Sequence, residues 1–139
     1  MHGENLPEWA VDLFSPLDDK FGTELLEVSP ERTVGRAPVK GNTQVAGLWH
    51  GGGSGLLVET LGSIAAYATA QPDRIAVGME LSVTHHAAVT KGTVTGVATP
   101  LHIGRQTCTY EVVLTDDDDR RVATGRLTCM FLPRRPGQD

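Results

Sequence analysis

The feature that most narrows the folds open to this chain is a change of periodicity near residue 71. Upstream of it, residues 51–70 place Leu57, Leu61, Ile64, Ala65 and Ala68 at helical spacing, and Gln71-Pro72-Asp73 stops the pattern. Downstream, Val-, Thr- and Ile-rich stretches run over 75–88, 92–103, 107–115 and 122–132. They are divided by Thr90-Lys91-Gly92, Gly104-Arg105 and residues 116–121. Four strands with such short breaks predict an antiparallel meander. Two shorter strands are expected before the helix, at 24–28 and 32–39, with Ser29-Pro30-Glu31 as the turn between them. The order β-β-α-β-β-β-β predicts an α+β domain in which one long helix packs on a curved antiparallel sheet.

At 139 residues the chain is expected to be one domain. Residues 1–22 read as a lead-in with scattered apolar side chains (Leu6, Trp9, Leu13, Phe14, Leu17) that has room for a short helix; 23–133 form the domain and 134–139 a tail. No apolar run approaches the ~20 residues that span a bilayer, so no membrane role is expected. The N-terminus carries acids and a Trp rather than a basic stretch followed by an apolar one, so no signal peptide is read and a cytoplasmic location is expected. A net charge of −5 disfavours nucleic acid as a partner, which selects a basic face. Cys108 and Cys129 form no C-x-x-C pair and are expected to be packed and reduced. Asp116 to Asp119 lacks EF-hand spacing and reads as a solvated hairpin tip. His2, His50, His85, His86 and His102 lack metal-ligand spacing, so no metal site is expected.

The helix is chemically odd. Gly51, Gly52, Gly53, Gly55 and Gly62 each disfavour helix by roughly 1 kcal/mol relative to Ala. The expected compensation is close approach of a backbone, a sheet or a ligand. Unobstructed amides at a helix N-terminus suit an anion or a developing oxyanion. Glu59 follows about two turns later among Leu56, Leu57, Val58, Leu61 and Ile64, and burial there would desolvate it as a general base or nucleophile requires. Ser63, four residues on, shares its face. Periodicity alone leaves a solvent-facing Glu59 equally open. His50-Gly51-Gly52-Gly53 is shared with the oxyanion strip of lipase-like hydrolases, but the G-x-S-x-G elbow of that fold is absent. No G-x-G-x-x-G or Walker motif occurs.

Gln44-x-x-Gly-x-x-His50-Gly51-Gly52, with Glu59 nine positions after the His and then Ser63, resembles the hotdog-fold thioesterases of the PaaI-like group. The nearest branch is that of hydroxybenzoyl-CoA and dihydroxynaphthoyl-CoA thioesterases. The likeness continues through Val77-Gly78-Met79-Glu80-Leu81, His85, Lys91-Gly92, Pro100-Leu101-His102-x-Gly104-Arg105 and Arg126-Leu127-Thr128, and covers roughly residues 24–132. It implies hydrolysis of an acyl-CoA or aroyl-CoA thioester, with no cofactor, since CoA is part of the substrate. Glu59 would be nucleophile or general base. The Gly51 N–H would polarise the thioester carbonyl, Gln44 would orient it, Ser63 would position water or Glu59, and His50 would orient the thioester or its oxyanion. Val77, Gly78, His85, His102, Gly104 and Arg105 would contact substrate or CoA, the Gly104-Arg105 turn approaching the phosphates. The resemblance also implies a cleft shared between two subunits of a dimer, itself paired into a homotetramer. The alternative left open is a non-catalytic acyl-CoA-binding module of the same fold.

Overall fold

The computed structural model describes residues 6–13 and 15–137. Phe14, His2 and the two ends of the chain lie outside the described residues. The lead-in forms two short helices, α1 (Glu8–Val11) and α2 (Pro16–Phe21). Ser15 caps α2 by accepting from the Asp18 N–H, Pro16 supplies the first helical residue, and Gly22 at φ 83° ends it in the left-handed conformation. Strands β1 (Glu24–Glu27) and β2 (Thr33–Pro38) follow, then α3 (Gly51–Ala70). Four more strands complete the chain: β3 (Arg74–His85), β4 (Thr93–Ile103), β5 (Thr107–Thr115) and β6 (Arg121–Pro133).

All pairings are antiparallel, in the order β1-β2-β4-β5-β6-β3. The expected four-stranded meander is therefore corrected. Strands β4, β5 and β6 form one, but β3 pairs with β6 at the far edge of the sheet, and the link after His85 crosses to β4. Short breaks cannot tell a hairpin from a crossing of this kind.

Helix α3 lies on one face, burying Leu57, Val58, Leu61 and Ala65 against Val94, Tyr110, Val112, Leu114 and Leu127. Glycines set how closely it approaches. A Cβ at Gly35 or at Gly96 would lie 2.6 Å from a Leu61 methyl, one at Gly125 2.6 Å from Val58 Cγ1, and one at Gly62 2.8 Å from Leu127 Cδ2. Helix and sheet are in contact where side chains are missing, which answers the helix-disfavouring cost of Gly62. Cys108 and Cys129 face each other across β5 and β6 as free, fully buried thiols. A hydrogen bond with Cys108, together with burial, pushes the Cys129 thiol up, so it stays protonated.

Two substitutions should move stability in opposite directions. Gly125→Ala pushes a methyl into Val58 and should cost about 1–3 kcal/mol by overpacking. Gly55→Ala meets no atom closer than 4.0 Å and should gain roughly 0.5–1 kcal/mol by helix propensity. Thermal melts of both variants check this; a Gly125→Ala protein as stable as the wild type would contradict the close-approach account.

Candidate active site

The segment before α3 is built to hold its first turn in place. Asn42 Nδ2 donates to the carbonyls of Phe21 and Pro38, and the Asn42 carbonyl accepts from the His50 N–H. Thr43 and Trp49 form a bridge, the Trp49 N–H donates to the Val89 carbonyl, and the buried Trp49 indole donates to Ser54 Oγ at 2.8 Å. Gly41 and Gly47, at φ 86° and 80°, let the loop turn between these anchors. The Gln44 side-chain carbonyl accepts from the Ala46 N–H, which leaves the amide NH₂ as its donor.

His50 is the N-cap of α3. Its Nδ1 accepts from the Gly52 N–H at 2.8 Å, so the neutral ring carries its proton on Nε2, and the side chain is exposed. A donor thus points away from the helix start. The Gly51 N–H, first in the helix, is among those with no intrahelical acceptor. Gly51 borders a cleft of about 380 Å³ shared with Gln44, Trp49, Ser54, His85 and Val122. A Cβ at Gly51 would lie 2.9 Å from the His85 ring. The structure therefore brings Gln44, Gly51 and His85 together. His50, although adjacent in sequence, lines a separate cleft of about 320 Å³ with Phe21, Asn42 and Leu56.

Glu59 lies elsewhere. It is half-buried rather than enclosed, with Ser63 Oγ donating to its Oε1 at 3.5 Å. A Cβ at Gly78 would lie 3.0 Å from Glu59 Oε1, so the missing side chain on β3 makes room for the carboxylate. A β-bulge between Gly78 and Glu80 sits at this point and turns out Met79, which is 55% exposed. Eight residues of helix separate Gly51 from Glu59, roughly 12 Å along the axis. Within one chain the amide and the carboxylate line different clefts.

The remaining expected contacts are dispersed. Val77 pairs with Met130, on the sheet face away from α3, so strand alternation separates it from Gly78. His102, Gly104 and Arg105 share a cleft of about 610 Å³ with Gln106 and Thr107 at the β4–β5 hairpin. The Arg105 carbonyl accepts from Arg74 at the start of β3, whereas Gly51 adjoins His85 at the end of that strand. Among the described residues, no group of three or more His, Cys, Asp or Glu is placed to hold a metal ion, and no helix is long and apolar enough to cross a membrane.

Sequence reasoning missed the lead-in. Leu13, Ser15 and Asp18 line the groove of about 330 Å³ that holds Glu59 and Ser63. A signal was present: Ser15-Pro16 is a helix start, and an acid two residues later suits the first turn.

A six-stranded antiparallel sheet carrying one long helix of this topology is the hotdog fold, and the chain is a thioester hydrolase. A family model described as the thioesterase superfamily matches residues 46–123, and the chain belongs to that superfamily. It is 44% identical over 114 residues to the proofreading thioesterase EntH of Cronobacter sakazakii, a match covering 81% of this chain and 78% of that protein. Thioesterase HI1161 from Haemophilus influenzae superposes with a TM-score of 0.83 at 25% identity, covering 88% of this chain and 87% of the other. A mutant of thioesterase PA1618 from Pseudomonas aeruginosa does so at 0.79 and 32% identity, covering 85% and 86%.

The cap geometry separates two roles for His50. Asn is as good a helix cap, so His50→Asn should keep the melting temperature close to that of the wild type. It replaces the ring donor by a shorter amide donor, and if His50 orients the thioester as the resemblance implies, kcat should fall about tenfold to a thousandfold. Both are read on one preparation; unchanged kcat at saturating substrate would confine His50 to capping.

Proposed function

We propose that two copies of this chain pair through β3 and hydrolyse an acyl-CoA or aroyl-CoA thioester to the free acid and CoA. Glu59 of one copy acts on a carbonyl held by Gly51 and Gln44 of the other. The observation carrying this reading is the division of the site along α3: donors at one end, the carboxylate roughly 12 Å away in another groove.

The edge strand supports the same arrangement. Strand β3 ends the sheet with exposed Val77, Met79 and Leu81, a side that invites pairing. It adjoins both half-sites, Gly78 within the strand beside Glu59 and His85 at its end beside Gly51. Antiparallel pairing of β3 with its own copy, centred between Leu81 and Ser82, sets Gly78 opposite His85 of the partner copy. Each carboxylate then faces the other copy's helix start, which is how an isologous pair completes two sites at once. Pairing of such dimers into a homotetramer belongs to the same proposal.

In the assembled cleft, the Gly51 N–H and the Gln44 amide donate to the carbonyl oxygen and stabilise the negative charge that develops there. Glu59 either adds to the carbonyl carbon, giving an acyl carboxylate that water then cleaves, or takes a proton from water as the oxygen adds. In the first route the C–S bond breaks with sulfur leaving as thiolate, and the water that cleaves the anhydride supplies the acid's hydroxyl and the proton the thiolate takes up. In the second, Glu59 passes the water's proton to the sulfur as the C–S bond breaks and the acid is released. Ser63 holds Glu59 or the water. The exposed Arg105 turn offers a cation for the CoA phosphates.

Thiol release from benzoyl-CoA, followed with a thiol reagent, tests the chemistry. Glu59→Ala should lower kcat by about 10²–10⁴-fold with the fold intact; retention of a tenth of wild-type kcat would refute the assignment.

Subunit mixing tests the geometry. Gly51→Val, whose side chain strikes His85 and fills the carbonyl's space, should be inactive alone, as should Glu59→Ala. Co-refolded in equal amounts, the two should recover about a quarter of wild-type activity, because half the dimers are mixed and each has one intact site. No recovery from a mixture shown to contain mixed dimers would place both groups in one chain.

A further inference from the structure

The groove that holds Glu59 is walled on one side by the lead-in, a segment outside the matched family region and given no role above beyond lining. Asp18 pins it there. This carboxylate is 5% exposed, and its Oδ1 accepts from Thr23 Oγ1 at 2.9 Å and from Thr60 Oγ1 at 2.8 Å. Thr60 is the residue next to Glu59, so α2 is fastened to α3 at the level of the catalytic carboxylate. Leu13, half-buried and packed on the core, lines the same groove with Leu56 and Ile64.

The lining decides which part of the substrate enters. A thioester carbonyl has two arms, one leading through sulfur to the anionic CoA phosphates and one to the acyl group. The groove has apolar walls from Leu13, Leu56 and Ile64, its charged members are the carboxylates Asp18 and Glu59, and among the described residues no Lys or Arg lines it. Such a surface repels the phosphate arm and favours an apolar one. At about 330 Å³ it lies at the small end of ligand sites, room for an aromatic ring or a short chain.

We infer that Leu13 is a specificity-determining residue, which closes the acyl end of the Glu59 groove and restricts the substrate to compact apolar acyl groups. This rests on the thioesterase reading proposed above. Leu13 carries no reacting group; it acts by the space it fills.

The test compares kcat/KM for benzoyl-CoA and decanoyl-CoA in wild type, Leu13→Ala and Leu13→Trp. Removing the side chain should raise the decanoyl-to-benzoyl ratio by about tenfold or more, the size of discrimination that a few methylenes provide in an apolar pocket. Leu13→Trp should move the ratio the other way, chiefly through KM. A merely structural role would lower both substrates together and leave the ratio unchanged in both variants, and that result overturns the inference alone. Wild-type protein inert towards both esters, and towards acetyl-, butanoyl- and hexanoyl-CoA, would overturn the functional reading and this inference with it.

Discussion

The close seating of α3 on the sheet is the contact on which the rest of the molecule depends. Leu61 lies over Gly35 and Gly96, Val58 over Gly125, and Leu127 rises into the gap at Gly62. Side chains at those four positions would lift the helix away from the strands that border the site. Because core packing is dense and resists small displacements, the seating holds the helix along its length. Gly51 is thereby kept against His85 at the end of β3, and Glu59 against Gly78 within that strand.

A straight helix sets its first and third turns roughly 12 Å apart along its axis. The glycine-rich start supplies amide donors, and the carboxylate lies roughly 12 Å further along in a different groove. Under the proposed pairing this separation becomes useful, since two antiparallel copies of β3 exchange the ends of their helices. The edge strand would then do two things at once: its unpaired backbone joins the copies, and its register sets which residues meet. The bulge at Met79 falls beside Glu59, where a regular strand would offer less room.

The lead-in is drawn into the site by a single buried carboxylate. Asp18 satisfies two hydroxyls, one at the start of β1's approach (Thr23) and one on α3 (Thr60), so the short helix α2 cannot shift without leaving buried polar groups unpaired. That anchoring turns a segment of little intrinsic helical stability into a rigid wall of the Glu59 groove.

The helix over 51–70, six strands, and the thioesterase class were legible in the sequence, because each depends on local information. Apolar spacing sets element type, and the spacing from Gln44 through His50 and Glu59 to Ser63 is a pattern along one chain. The two thiols were read as packed and reduced, and they are free and buried. The place of β3 was not legible, because a short link reads the same whether the next strand is a neighbour or lies across the sheet. His50 as a cap, the pairing of Gly78 with Glu59 and the distance of Val77 from that carboxylate also needed coordinates, since each depends on which face a residue presents once register is set. Asp18 was unreadable for the same reason: its partner Thr60 is 42 residues away, and only tertiary packing brings the two into contact.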